Sequence, residues 1–308
     1  MYKVVLCICT YKRPDGLLKL LRAVEQLDFD DDLSLVVIDN AAGQEGLNLC
    51  RKIESQYRWP MKYAYEPQGG IPYARNTAVK TALESDPDFI AMLDDDEWPS
   101  RQWLTELIKI QRKTAADFVG GPVKPVFPAD TPPPWFKVSA QYYGAERELE
   151  DGNFCVLYAS GNFLGRAECF RILGAESFSP YFSVAGGEDL AFFQEMEKRG
   201  YKMAWSKNAV VYETVPESRM SISWLKERVI RQSNLNVLVQ RKNQQGILQS
   251  SVRFMKTAVL LVVGSIAYIA LLPHRILRIK SAMLIWKALG RIRGHLGYQR
   301  VYSGHGGE

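Results

Sequence analysis

The segment of residues 89–99, FIAMLDDDEWP, constrains the fold of this chain more than any other. Its five apolar residues lead directly into Asp94, Asp95, Asp96 and Glu97. An apolar run of this length is typical of a parallel strand buried on both faces of a sheet. Open α/β sheets bind ligands at the carboxyl ends of such strands, and adjacent carboxylates repel one another unless a cation or solvent relieves them. The segment predicts either a Mg²⁺ or Mn²⁺ site or a solvated acidic turn before a helix.

Alternating strand and helix patterns place this segment in a Rossmann-like sheet. We predict strands over residues 2–9, 33–39, 61–66, 89–93 and 153–159, and helices over about 15–27, 73–83, 101–112 and 190–199. This alternation is typical of an α/β sheet flanked by helices. The first strand lacks a following GxGxxG, which excludes the ordinary dinucleotide fingerprint. The positive end of the helix that carries Arg75 is expected to face Asp39 and the acidic cluster.

The distribution of histidine and cysteine excludes several kinds of active site. All three histidines, His274, His295 and His305, lie near the carboxyl end, so residues 1–240 contain no His-based triad, His-ligated metal or His general base. The five cysteines are odd in number and form no zinc-type CxxC pairs. The chain opens in an apolar strand without a signal-peptide pattern, so we expect a cytoplasmic catalytic body.

The last part of the chain differs from the rest in charge. Residues 241–308 carry eleven Lys and Arg against one acid, a net charge of +10, whereas residues 1–240 carry −5. Residues 257–272 are uncharged and apolar, and a basic helical pattern with Ile276, Ile279, Met283, Trp286 and Leu289 follows. We therefore predict two domains, 1–240 and a helical tail over 241–308 that contacts an anionic membrane surface rather than nucleic acid. The uncharged run is short for a span and favours a re-entrant or interfacial segment.

Five motifs in order resemble a known enzyme family. They are CTYKRP at 9–14, VVIDN at 36–40, GGIPYARN at 69–76, LDDDEWP at 93–99 and GGEDL at 186–190, within roughly the first 215 residues. This set resembles the inverting glycosyltransferases of family 2, in particular those of bacterial exopolysaccharide assembly of the succinoglycan type. The resemblance implies the GT-A fold, a Rossmann-like mixed sheet flanked by helices.

The resemblance also implies roles for individual residues. Nucleotide-sugar binding is expected of Thr10, Tyr11, Arg13, Asp39, Arg75, Asp94 and Asp95. Asp96 would ligate Mn²⁺ or Mg²⁺ at the diphosphate, and Asp189 would be the general base. Adjacent side chains diverge on a helix or strand, so only one of Glu188 and Asp189 can point at a given acceptor hydroxyl.

One position departs from the family pattern. Many members have a histidine near the metal or pyrophosphate where this chain has Glu213. Glu213 either ligates the metal, or Asp96, phosphates and water hold it without Glu213. Arg219 offers a further cation for the pyrophosphate. For the acceptor we expect the region that includes Trp135, Gly161 and Asn162, together with Glu188.

We expect an enzyme at the cytoplasmic face of the inner or plasma membrane. It would transfer a sugar with inversion from a nucleotide sugar, a UDP-sugar being favoured, to a saccharide or polyprenyl-linked acceptor. Two alternatives remain open from the sequence. One is a nucleotidyltransferase with a carboxylate-held metal, which would release pyrophosphate; the other is a non-catalytic membrane adaptor, which would bind no nucleotide.

Overall fold

The structure, a computed structural model, describes residues 1–144, 147–184, 186–242 and 247–298. It divides into two compact units. The sheet unit comprises Met1–Pro125, Gly144–Ser183 and Glu188–Thr214, and the helical unit comprises Val126–Tyr143, Val184–Gly187 and Val215–Glu308. Residues 243–246 and 299–308 of the predicted tail, including His305, lie outside the described residues.

Strands and helices alternate along the first half of the chain. They are β1 (Lys3–Thr10), α1 (Pro14–Glu25), β2 (Asp32–Asp39), α2 (Glu45–Ile53), β3 (Met61–Tyr65), α3 (Ile71–Leu83), β4 (Phe89–Asp94), β5 (Glu97–Pro99), α4 (Trp103–Thr114), β6 (Phe118–Gly120) and β7 (Val123–Val126). The elements that follow are α5 (Phe136–Ser139), β8 (Asn162–Arg166), α6 (Ala167–Leu173), α7 (Glu188–Lys198), β9 (Met203–Trp205), β10 (Val211–Thr214), α8 (Ile222–Lys242), α9 (Ile247–Ala270) and α10 (Arg275–His295).

A seven-stranded mixed sheet forms the centre of the sheet unit. Its strand order is β3-β2-β1-β4-β8-β6-β9, and β1 pairs in parallel with both β2 and β4. The apolar residues of these central strands are buried on both faces, as the sequence predicts. In register, Thr10 lies beside Asp39, and Cys9 lies beside Asp94. The carboxyl ends of the three central strands therefore deliver Thr10, Asp39 and the acidic segment to one edge of the sheet.

The strand predicted over residues 153–159 is wrong. Within that range only Phe154 makes an isolated bridge, to Ala204, and the strand begins instead at Asn162. The reason is that residues 153–159 pair with β9 only around Phe154, where the N–H of Cys155 donates to Met203 and the N–H of Trp205 donates to Asn153. Strand β8 instead begins with the buried amide of Asn162. It accepts from Trp103 Nε1 at 2.7 Å and donates to the carbonyls of Pro122 at 3.0 Å and Ala209 at 2.8 Å. These bonds hold Asn162 inside the sheet unit.

A second, three-stranded sheet has the order β5-β10-β7. Its strand β5 starts two residues after Asp95, so this sheet begins at the acidic segment. The antiparallel register places Glu213 opposite Glu97 and Tyr212 opposite Trp98. The pairing therefore carries Glu213 to the acidic segment from more than a hundred residues away in sequence.

Helices α8 and α10 pack closely in the helical unit. A side-chain carbon at Gly294 would lie 2.6 Å from Cβ of Val237, so the absence of one permits this approach. Ile279 and Met283 are buried in a cluster with Leu225 and Val229 of α8. Ile279 and Met283 therefore belong to the core of the helical unit, and a contact of the tail with an anionic membrane surface stays a prediction.

Helix α9 carries the exposed apolar surface of the helical unit. Among the described residues, it is the one helix long and apolar enough to cross a membrane, over Ser251–Ala270, and 11% of that window is buried. The helix begins before the uncharged run of residues 257–272, so that it also contains Arg253 and Lys256. The predicted boundary at residue 240 falls inside α8. The division of the chain into domains 1–240 and 241–308 stays a prediction.

Candidate functional site

Asp95 anchors the acidic segment to β1 and α1. Its Oδ2 accepts from Thr10 Oγ1 at 2.8 Å and from the backbone N–H of Tyr11 at 3.3 Å, and its Oδ1 pairs with Arg13 at 3.1 Å. Burial, followed by the charge of Asp96, raises the pKa of Asp95 to about 6, although Arg13 and Thr10 act in the opposite direction. Thr10, Arg13 and Asp95, all predicted to bind the nucleotide, thus bind one another in this structure.

Asp94 and Asp96 lie on either side of this anchor and are more accessible. Their side chains are 38% and 30% exposed, against 9% for Asp95. Asp96 Oδ2 pairs with Arg13 at 2.9 Å, so Arg13 neutralises part of the charge at the predicted metal ligand. Asp94 and Asp96 are therefore the acids of this segment with the larger solvent-accessible side-chain fractions.

Arg75 is buried between two carboxylates. Its Nη2 donates to Asp94 Oδ1 at 2.9 Å, and its Nη1 pairs with Glu188 Oε1. Burial acts to lower the pKa of Arg75, but the charges of Asp94, Glu188 and Asp189 outweigh it and raise this pKa. The guanidinium therefore stays charged, and it contacts protein carboxylates at the place where the sequence predicts contacts with nucleotide.

The Glu188–Asp189 pair begins α7 directly after two glycines with positive φ. Gly186 and Gly187 have φ of 77° and 94°, a conformation that residues with a side chain rarely adopt. Glu188 is buried, and burial raises its pKa even though Arg75 opposes the shift. Asp189 is half-buried, and its Oδ1 accepts the N–H of Leu190 at 2.7 Å. The two acids thus occupy different environments, and Asp189 is the more accessible one.

Asp39 is fully buried at the end of β2. Its oxygens accept backbone N–H groups from Ala41 at 2.9 Å, Gly46 at 2.8 Å and Leu47 at 3.2 Å. These bonds shape the turn and the first residues of α2, where the helix dipole favours a negative charge. A direct contact between Asp39 and the base stays a prediction.

Two asparagines that the sequence analysis left without a role organise the loops around α3. Asn40 donates to the carbonyls of Glu66 and Gln68, both at 2.8 Å, and accepts the N–H of Gly70 at 2.9 Å. Asn76 makes two 2.8 Å bonds to the backbone of Phe178. Asn40 is the last residue of the motif VVIDN, and Asn76 is the last residue of the motif GGIPYARN. Their presence in these motifs is the sequence signal that could have identified them.

Glu97 is a further buried acid whose role the sequence did not indicate. It is 6% exposed, and its Oε2 accepts the N–H of Asp94 at 3.3 Å. A side-chain carbon at Gly161 would collide with the Glu97 carboxylate, so Gly161 leaves the space that Glu97 fills. Burial, and then the charges of Asp94, Asp96 and Glu213, raise the pKa of Glu97 well above its usual range. Glu97 thus accepts a hydrogen bond from the backbone of the acidic segment inside the protein, in the space that Gly161 leaves.

The remaining predicted site residues lie in the sheet unit or in the helical unit. The amide of Asn162 is bonded within the sheet unit, as described above. In the helical unit, Trp135 is 8% exposed in an aromatic cluster, and the carbonyl of Arg219 accepts the Tyr143 hydroxyl at 3.2 Å. Acceptor binding by Trp135, Gly161, Asn162 and Glu188, and pyrophosphate binding by Arg219, stay predictions.

The carboxylates of the acidic segment suit a cation that takes its remaining ligands from a bound substrate and water. No group of three or more His, Cys, Asp or Glu side chains in the described part of the chain could hold a metal ion by itself. Mg²⁺ usually binds through one or two carboxylates and takes its other ligands from phosphates and water. Asp96, with partly exposed oxygens beside the half-exposed Asp94, offers that kind of partial site, and Glu213 lies close by through its pairing with Glu97.

Comparison with known proteins agrees with this geometry. The model of the family described as "Glycosyl transferase family 2" matches residues 5–173. The succinoglycan biosynthesis protein ExoM of Rhizobium meliloti (strain 1021) is 32% identical over 250 residues, which cover 79% of this chain and 77% of that protein.

Solved structures resemble this chain in fold over most of its length. The mannosyltransferase PcManGT of Pyrobaculum calidifontis, in complex with GDP-Man and Mn²⁺, has a TM-score of 0.65 at 17% identity, covering 97% of this chain and 88% of that one. S. aureus TarS 1-349 in complex with UDP-GlcNAc has a TM-score of 0.55 at 14% identity, covering 97% and 93%. At these identities the likeness shows the fold alone, and it confirms the predicted GT-A class.

The raised pKa of Glu97 predicts a pH-dependent effect of Glu97→Gln. The folded protein holds a proton on Glu97 at pH values where the unfolded chain has lost it, so this residue lowers the free energy of unfolding as pH rises. Glutamine cannot ionise and keeps an acceptor for the N–H of Asp94. The stability of the variant relative to wild type should increase from pH 5 to pH 8, by about 1.4 kcal/mol for each pH unit over which folded Glu97 stays protonated.

Urea unfolding at several pH values, without added divalent cation, measures this difference. Glu84→Gln is the matched control, because the Glu84 side chain is 57% exposed in a surface pair with Lys62. Parallel pH curves for wild type and Glu97→Gln would show that Glu97 is ionised in the folded protein.

Proposed function

Because this chain belongs to the family 2 glycosyltransferases, we propose that it uses a Mg²⁺ or Mn²⁺ ion and the base Asp189 to transfer a sugar in exopolysaccharide assembly. The donor is a nucleotide diphosphate sugar, and we propose a UDP-sugar. The acceptor is a saccharide or polyprenyl-linked saccharide at the cytoplasmic face of the membrane. The name of the relative ExoM, a succinoglycan biosynthesis protein, supports the polysaccharide assignment.

One observation carries the catalytic proposal. A single buried arginine, Arg75, contacts both Asp94 of the acidic segment and Glu188, the neighbour of Asp189. Acids that lie about 95 residues apart in sequence therefore converge at the carboxyl edge of one sheet, where α/β proteins bind ligands. This arrangement supports a donor site at Asp94 and Asp96 with a base close to it.

The proposed reaction is a single displacement at the anomeric carbon. Asp189 takes the proton of the acceptor hydroxyl, and the acceptor oxygen forms a bond to the anomeric carbon as the bond to the diphosphate oxygen breaks. Attack from the face opposite the diphosphate inverts the configuration. Asp96, with Glu213 as a second candidate, would hold the cation, which neutralises charge on the leaving diphosphate. Asp94 would orient the donor beside it.

Substitution of Asp189 tests the base. We expect Asp189→Asn to reduce release of nucleoside diphosphate from a panel of UDP-glucose, GDP-mannose and dTDP-glucose by about 10²-fold or more, because general base catalysis typically contributes 10²–10⁴-fold. Binding of UDP by calorimetry should be retained, which shows that the variant is folded. Near-normal turnover in Asp189→Asn would remove Asp189 from this role. Release of pyrophosphate by the wild-type protein from UTP and glucose 1-phosphate, with no nucleoside diphosphate formed from the sugar-nucleotide panel, would indicate a nucleotidyltransferase instead.

Removal of divalent cations tests the metal. Treatment with EDTA should abolish turnover, and added Mn²⁺ or Mg²⁺ should restore it, because the described protein groups supply only part of a coordination sphere. Asp96→Asn should raise the Mn²⁺ concentration needed for half-maximal turnover by at least tenfold, whereas Asp28→Asn, in a surface pair with Arg101, should not change it. Full activity in EDTA would exclude the cation from the reaction.

Membrane attachment is proposed through α9. Seven of its apolar side chains are more than half exposed: Phe254, Met255, Val259, Val262, Val263, Ile266 and Ile269. The candidate window of 20 residues is about as long as the hydrocarbon core is thick. Arg253 and Lys256 near its start, and Arg275 and Arg278 after its end, suit anionic lipid headgroups. A bilayer is the partner that matches both the apolar face and the flanking positive charge.

Vesicle sedimentation tests this attachment. The combined substitution of Val259, Val263 and Ile266 by Ser should reduce co-sedimentation with phosphatidylcholine–phosphatidylglycerol vesicles at least fivefold, because it removes apolar area from one face of α9. Ile172→Ser is the control, since Ile172 is a 58% exposed apolar residue of the sheet unit. Equal pelleting of the triple variant and wild type would contradict a bilayer contact through α9.

A further inference from the structure

Arg75 and Glu188 form a buried ion pair whose geometry suits a positioning role. Both residues are 4% exposed, and the second nitrogen of the same guanidinium donates to Asp94 at 2.9 Å. A guanidinium presents its donors in a rigid planar fork, so a contact made with two nitrogens fixes direction as well as distance. The Arg75 guanidinium therefore connects the amino-terminal half of α3 to Asp94 at the end of β4 and to Glu188, the first residue of α7.

A second contact holds α7 against the same region. Phe178 lies with its ring 5.7 Å from the Arg75 guanidinium and stacks on Phe192 of α7 at 4.7 Å. Asn76, next to Arg75, bonds the backbone of Phe178 through both its amide oxygen and nitrogen. The start of α7 is thus fixed at Glu188 and, one turn later, at Phe192.

The burial of this pair argues against substrate contacts for either residue. Buried ion pairs contribute little net stability because desolvation offsets their attraction, but they can specify one geometry. The neighbouring residue Asp189 is half-buried and lies within the electrostatic reach of Arg75. A rigid helix transmits the position of Glu188 to Asp189, its neighbour in the same turn.

We propose that Arg75 and Glu188 are positioning residues that set the catalytic base Asp189 against the donor-binding Asp94. Neither binds the diphosphate or the acceptor. This inference rests on the proposed function, and it assigns to Arg75 and Glu188 a different role from the nucleotide and acceptor contacts that the sequence suggests.

Glu188→Gln tests the proposal with water as the acceptor. Glutamine keeps the size of the side chain and loses the charge that orients Arg75. With UDP-glucose as the probe, or whichever panel donor the wild type hydrolyses, we expect kcat for nucleoside diphosphate release to fall about 10²-fold, the effect typical of a small misplacement of a catalytic group. KM for the donor and the dissociation constant for UDP with Mn²⁺ should stay within threefold of wild type.

The same measurements separate the competing roles. If Glu188 only bound a saccharide acceptor, hydrolysis would be unchanged in Glu188→Gln, because no saccharide is present. If the pair held the diphosphate, the UDP dissociation constant would rise tenfold or more in Glu188→Gln and in Arg75→Lys. Either result would overturn the proposal. Glu195→Gln is the matched control on α7, where Glu195 pairs at the surface with Arg199 at 2.9 Å, and it should leave kcat unchanged.

A double variant distinguishes positioning from simple structural support. Replacing a buried ion pair by apolar residues of similar size often keeps stability. Arg75→Met with Glu188→Leu should therefore unfold close to the wild-type temperature while kcat stays about 10²-fold low. Recovery of kcat together with stability would overturn the positioning role. A wild-type protein that releases no nucleoside diphosphate from any donor would instead contradict the proposed function itself.

Discussion

The concentration of negative charge at the end of β4 is the constraint on which the rest of the sheet unit depends. Asp94, Asp95, Asp96 and Glu97 are consecutive, and like charges at such distances are tolerated only if something offsets them. The structure offsets the four acids in three ways. Arg13 pairs with Asp95 and Asp96, Arg75 pairs with Asp94, and burial raises the pKa of Glu97, which favours its neutral form.

These compensating groups come from separate elements and thereby organise them. Arg13 precedes α1, Arg75 lies on α3, and Glu188, the second partner of Arg75, begins α7. Gly161 leaves the space for Glu97 at the start of β8. The acidic segment therefore contacts the residue before α1 and a residue of α3 directly, and Arg75 extends these contacts to the start of α7. At the proposed donor site the charges are thus already arranged in the free protein, which reduces the reorganisation needed during a reaction there.

Much of the sheet unit was predictable because its signals are local. Apolar runs before Thr10, Asp39 and Asp94 predicted buried parallel strands, and all three strands are observed. Residues 153–159 have a similar apolar pattern but do not form a strand, since only partners distant in sequence decide which apolar segment pairs. The apolar spacing over residues 276–289 predicted the helix α10 correctly but not the packing of Ile279 and Met283 against α8, because a helix face and lipid are both apolar partners.

The sequence by itself determined the family, the fold class, the acids at the strand ends and the exclusion of histidine chemistry from residues 1–240. Motif order and hydrophobic periodicity carry that information within short windows. Only the tertiary structure decided which of these charged residues contact one another. Arg75 pairs with Glu188 across 113 positions, and Glu97 is buried opposite Glu213. Such contacts depend on strand order and helix packing, and no local pattern encodes them.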